Sequence, residues 1–165
     1  MKKTAVLMGS DSDLAVMAET IKTLREFGMP FEAHIMSAHR TPGRAARFAA
    51  DARQNGFGVV IAAAGKAAHL AGAIAAHTTL PVIGVPIGAQ GLGGLDSLLS
   101  TAQMPPGVPV ATVAVDGARN AAVLAAQILA VGDEALAETL EAFKSGMEES
   151  VMKKDEKLQK EIDSV

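Results

Sequence analysis

Residues 58–72 read GVVIAAAGKAAHLAG, and the first seven of them decide the fold. Val59, Val60 and Ile61 run straight into three alanines with no polar residue between them, so the segment has no solvent face. A strand buried on both sides, inside a parallel sheet, reads this way. Gly65 breaks the run, and a helix is expected over 69–77. Outward from there the same order recurs: an apolar run, a small-residue turn, then helical periodicity. It predicts strands at 4–8, 31–36, 58–64, 81–86 and 110–115, with helices at 14–27, 42–55, 69–77, 96–103 and 119–131. Strands alternating with helices imply an α/β fold, a three-layer α/β/α sandwich around a five-stranded parallel sheet. At 165 residues the chain fits a single domain (1–165), with the core over 1–132.

Residues 133–165 stand outside that alternation. Leu136, Leu140, Phe143, Met147, Val151, Leu158 and Ile162 recur at helical spacing, and Glu149 with Lys153 and Glu156 with Lys160 suit a wet face. One extra long helix is expected, packed on its own core or across a subunit boundary.

Composition narrows the partners. Fifteen Lys and Arg against 18 Asp and Glu leave a net charge of −3, and the basic residues form no dense run. A nucleic-acid surface is therefore not expected, and a small molecule is. With no cysteine there are no disulfides or thiolate metal sites, in keeping with a reducing, cytoplasmic setting. The basic pair and apolar run at the start are cut short by Asp11 and Asp13, unlike a leader, and no stretch is apolar enough to cross a bilayer. Five Phe with neither Trp nor Tyr count against stacked bases or flavins.

Ligands of such sheets bind beyond the carboxyl ends of the strands, which singles out four turns. In GSDSD, the N-terminus of the first helix favours an anion, yet Ser10 and Asp13 also match a capping box; both readings stand. If the site is real, Asp13 suits sugar hydroxyls rather than phosphate. In SAHRTP, Thr41 reads as an N-cap and Pro42 as the first helical residue. His39 and Arg40 are needed for neither, so Arg40 is free to grip a phosphate and His39 to move a proton, or to be a solvated loop residue. In AGKAAHLAG, Gly65 permits close approach to the backbone, while His69 reads as a candidate or as a polar helix start. His34 and His77 carry weaker signals. The IGAQGLGGLDS stretch reads as a lid or a long turn, with Asp96 as an N-cap.

Taken in order over nearly the whole chain, GSDSD, SAHRTP, AGKAAHLAG, GVP, GLDSLLSTAQMPPGVPVATVAV and NAAVLAAQIL resemble the 5-(carboxyamino)imidazole ribonucleotide mutase family of purine biosynthesis. The resemblance implies a flavodoxin-like homo-octamer that needs neither metal nor organic cofactor and moves a carboxylate from the exocyclic nitrogen of a ribonucleotide to carbon 4 of its imidazole. By similarity, Ser10 and Arg40 would hold the 5′-phosphate and Asp13 the ribose. Ser37 and Ala38 would line the base, and His39 would transfer the proton. Gly65, Ala67, Ala68, His69 and Leu70 would wall the imidazole and its migrating carboxylate. The chain departs from the family pattern at Lys66, usually glycine, at Ala71, usually proline, and at Pro106, where a basic residue is common.

Two alternatives remain. Related enzymes carboxylate aminoimidazole ribonucleotide directly with carbon dioxide; the AAHL stretch favours the mutase over these. A noncatalytic nucleotide-binding module is the alternative of another class, although no Gly-x-Gly-x-x-Gly turn follows the first strand.

Overall fold

The computed structural model of the chain describes residues 1–88 and 91–162. Two expectations extend past these: the glycine-rich turn runs through Ala89 and Gln90, and the C-terminal helix through residues 163–165, which lie outside the described residues.

Strands β1 (Lys3–Met8), β2 (Phe31–Ile35), β3 (Phe57–Gly65), β4 (Val82–Ile87) and β5 (Ala111–Thr112) form one parallel sheet in the order β2-β1-β3-β4-β5. Helices α1 (Leu14–Glu26), α2 (Pro42–Asp51), α3 (Leu70–Ala75), α4 (Leu95–Ala102) and α5 (Ala118–Ala130) connect and follow the strands, and α6 (Glu134–Ile162) extends beyond them. This is the flavodoxin-like strand order, whose connections diverge at the β1/β3 switch point.

The apolar run of β3 serves both faces. Val59, Ile61 and Ala63 join Val6, Met8, Ile83 and Val85 in a core beneath α1 and α5. Val60 and Ala62 join Ala5, Leu7 and Val82 beneath α2 and α3. Gly84 lets α4 close on the sheet: a Cβ there would fall on the Thr101 methyl and 2.9 Å from Val110 Cγ1. Among the described residues, no helix is long and apolar enough to cross a membrane.

The helix ends follow local chemistry. Gly56 (φ +85°) donates to the Arg53 carbonyl while Phe57 donates to that of Ala52. That Schellman pair closes the turns after α2 at the expected Asn55. The fifth strand is shorter than the expected 110–115. The Pro86 carbonyl accepts from the Asp116 N–H at 2.9 Å, so the missing N–H of Pro86 faces β5 as well and the ladder stops. Asp96 is not the N-cap of α4; Gly94 (φ +89°) holds that position and Asp96 sits in the first turn, accepting from the Ser97 N–H.

Only the start of α6 packs on the core. Leu136 is buried, Leu140 and Phe143 pack beside it, and Phe143 meets Phe27 edge to face at 5.2 Å. Met147, Val151, Leu158 and Ile162 are exposed. Glu149 pairs with Lys153 at 3.7 Å, while the second surface pair is Lys157 with Glu161 at 3.6 Å rather than Glu156 with Lys160.

Candidate active site

The carboxyl ends of β1 to β4 open into a cavity of about 750 Å³. Of the residues singled out in the sequence, Ser10, Asp13, Ser37, Ala38, His39, Arg40, Gly65, Ala67, His69 and Leu70 line it. Three turns separated along the chain therefore meet at the switch point of the sheet, as the topology requires. Ala68 lies off the wall, 1 % exposed and packed inward. Lys66, Gly9, Ser12, Ala15, Val16, Ala64, Ile87 and Gly88 complete the lining. Gly88, next after β4, was legible from its place at a strand end; Val16, on the exposed-looking start of α1, was not.

The first turn carries the capping box. The Ser12 N–H donates to Ser10 Oγ at 3.4 Å, and the Ser10 N–H donates to Asp13 Oδ2 at 3.0 Å. Asp13 is buried, and desolvation pushes its carboxyl above the usual aspartate range despite the N–H groups of Ser10 and Gly9. The Ser10 hydroxyl, the Ser12 N–H and, more weakly, the Arg40 guanidinium hold exposed Asp11 below that range.

The second turn is braced from within. The Thr41 N–H and hydroxyl both donate to the Ser37 carbonyl, the Ser37 N–H donates to Thr41 Oγ1, and the Arg40 N–H donates to Ser37 Oγ. Thr41 does occupy the N-cap position of α2, with Pro42 first in the helix, but its side chain caps nothing. Its hydroxyl is spent on the turn itself. The turn presents His39 and Arg40 outward, and Arg40 Nη2 reaches across to the Gly9 carbonyl at 3.3 Å.

His39 Nε2 and His69 Nδ1 lie 2.9 Å apart with the rings edge to face, centroids 5.0 Å apart. One nitrogen must donate and the other accept, so the bond holds only one proton between the rings. Protonating one imidazole is compatible with it; protonating both is not. The pair thus ties the tautomer of one ring to that of the other.

Gly65 has a packing reason beside any ligand: a Cβ would sit 3.3 Å from the Ile87 carbonyl oxygen of the neighbouring strand. His34 and His77 stay outside the cavity. His34 lies 3.5 Å from a Glu32 carboxylate oxygen and edge-on to Phe48, and His77 Nδ1 meets the Ala73 carbonyl at 2.9 Å. Among the described residues no cluster of three His, Asp or Glu side chains is arranged to hold a metal.

A flavodoxin-like sheet with an imidazole pair, a guanidinium and small-residue walls at its switch point sets the chain among the α/β proteins whose ligands bind beyond the carboxyl ends of the strands. The chain belongs to the AIR carboxylase family, which its residues 3–150 match. It is 53 % identical, over 93 % of its length and 87 % of the relative's, to the N5-carboxyaminoimidazole ribonucleotide mutase of Pyrococcus horikoshii. It is 50 % identical to the phosphoribosylaminoimidazole carboxylase of Schizosaccharomyces pombe, covering 94 % of this chain but 28 % of that one. The crystal structure of Treponema denticola PurE superposes with a TM-score of 0.87 at 26 % identity, over 94 % of this chain and 98 % of that one.

Proposed function

We propose that this protein is an isomerase of de novo purine biosynthesis, a mutase converting 5-carboxyaminoimidazole ribonucleotide to 4-carboxy-5-aminoimidazole ribonucleotide. The observation that carries the reading is the 53 % identity, nearly end to end in both chains, to a protein of that name. The cavity chemistry supports it. Arg40 and Ser10 bind the 5′-phosphate, and Asp13 accepts from the ribose hydroxyls. Ser37 and Ala38 lie along the base, with Gly65, Ala67, His69 and Leu70 around the imidazole.

His39 carries the proton. It protonates the exocyclic nitrogen, the nitrogen–carboxyl bond breaks, and carbon dioxide and aminoimidazole ribonucleotide are formed together. Carbon 4 then attacks the carbon dioxide, and His39 takes the ring proton, so atoms and charge balance without a co-reactant. The bond to His69 supports this cycle, since it orients the ring and accepts the change of tautomer.

Direct carboxylation is the second reading, favoured by the likeness to the longer carboxylase chain. Supplying the carbamate substrate alone, or aminoimidazole ribonucleotide with bicarbonate, separates the two. Fast turnover of the carbamate is expected; fast turnover of the bicarbonate mixture alone overturns the mutase.

The same reading makes residues 1–165 one catalytic domain acting in the cytoplasm as a homo-octamer. Support for assembly comes from α6, which beyond Phe143 continues for about 28 Å with Met147, Val151, Leu158 and Ile162 exposed. Sedimentation of the full chain and of one ending at Ser145 tests it: the shortened chain should fall below the octamer mass.

A further inference from the structure

Lys66 is the residue next after β3, and it lines the cavity. Its backbone lies at φ +56°, a left-handed conformation that glycine adopts freely and a side chain adopts at a steric cost. Among the described residues the only other non-glycine position of this kind is Asp116, whose carboxylate accepts from the Gly88 N–H. Lys66 has no such compensation: it is exposed and, among the described residues, has neither an ion pair nor a hydrogen bond. A strained backbone on the cavity wall, carrying a side chain with no ion pair or hydrogen bond among the described residues, points to a partner supplied by the ligand.

The other charges of the cavity locate that partner. Arg40, from the turn after β2, reaches over the end of β1 to the Gly9 carbonyl, and Asp13 belongs to the turn after β1. Lys66 follows β3, the neighbour of β1 on the side away from β2, about 5 Å on from β1. It is three residues from His69 and adjoins Ala67 on the wall. The cavity therefore has two cationic poles, one at Arg40 and one at Lys66, with the histidine pair contributed from both sides. A ligand with two separated anionic groups matches that layout.

We propose that Lys66 binds the carboxylate that both substrate and product carry on or beside the imidazole, leaving the phosphate to Arg40, and so sets the preference for carboxylated over carboxylate-free ribonucleotides. This rests on the mutase reading, which supplies the ligand.

Calorimetric titration tests it with two probes, 4-carboxy-5-aminoimidazole ribonucleotide and aminoimidazole ribonucleotide, on the wild type, Lys66→Gly and Lys66→Arg. Glycine accepts φ +56°, so the Gly variant keeps its fold, which its thermal transition verifies. The expected result is a loss of roughly five- to tenfold in affinity for the carboxylated nucleotide alone in Lys66→Gly, restored in Lys66→Arg. An unchanged affinity ratio, or an equal loss for both nucleotides, overturns the proposal while leaving the mutase intact. If the wild type binds neither nucleotide and turns over no carbamate, the mutase reading has failed and the role of Lys66 fails with it.

Discussion

His39 Nε2 and His69 Nδ1, thirty residues apart in the chain, form one 2.9 Å hydrogen bond on the wall of the cavity. A single proton between the two rings makes them one acid–base unit, and each side chain has a separable part in it.

Replacing His39 with Asn keeps a hydrogen-bonding group of similar size and removes the titratable one. Turnover of the carbamate should fall by roughly 10²- to 10⁴-fold, with the dissociation constant for product little changed. Turnover equal to wild type, measured by stopped-flow absorbance, would sink the proton role.

His69→Ala removes the partner that orients His39 without removing the proton carrier. The expected outcome is a smaller loss of turnover than in His39→Asn, together with a displaced pH–rate profile. An unaltered profile would mean that the two rings act independently.

Asp13 is held above its ordinary pKa chiefly by burial, against the pull of the Ser10 and Gly9 N–H groups. A raised folded-state value means that the native protein binds the proton more tightly than the unfolded chain. The stability from this group is then complete below the ordinary aspartate value and is lost as pH rises through the raised one. Asp13→Asn does not titrate, so its melting temperature should gain on that of the wild type as pH rises from below the ordinary aspartate value through the raised one. A difference independent of pH in calorimetric scans would refute the assignment.

Gly84→Ala drives a methyl group into Thr101 and Val110 where α4 closes on β4. Overpacking of this kind costs roughly 1–3 kcal/mol. It should appear as a lower urea midpoint with an unchanged m-value.

Leu136 is the buried anchor of α6 on the core. Leu136→Ala should cost roughly 2–5 kcal/mol in the same assay. A loss well under that range would mean that the root of α6 is held by Phe143 and Leu140 instead.

The sequence by itself determined most of the sheet, because the signals are local. An unbroken apolar run such as Val59 to Ala63 is buried on both faces whatever surrounds it, and Gly56 ends the turns after α2 through bonds that reach no further than Phe57 and Ala52. The pairing of Ser10 with Asp13 was legible for the same reason, since a capping box closes within four residues. Tertiary structure alone decided the rest. Whether β5 runs two residues or six depends on Pro86, on another strand, which withholds its N–H. The bond between His39 and His69 exists because the fold brings β2 and β3 to either side of β1. Periodicity and capping act over a few residues; a site assembled from three turns is set by the order of the strands that carry them.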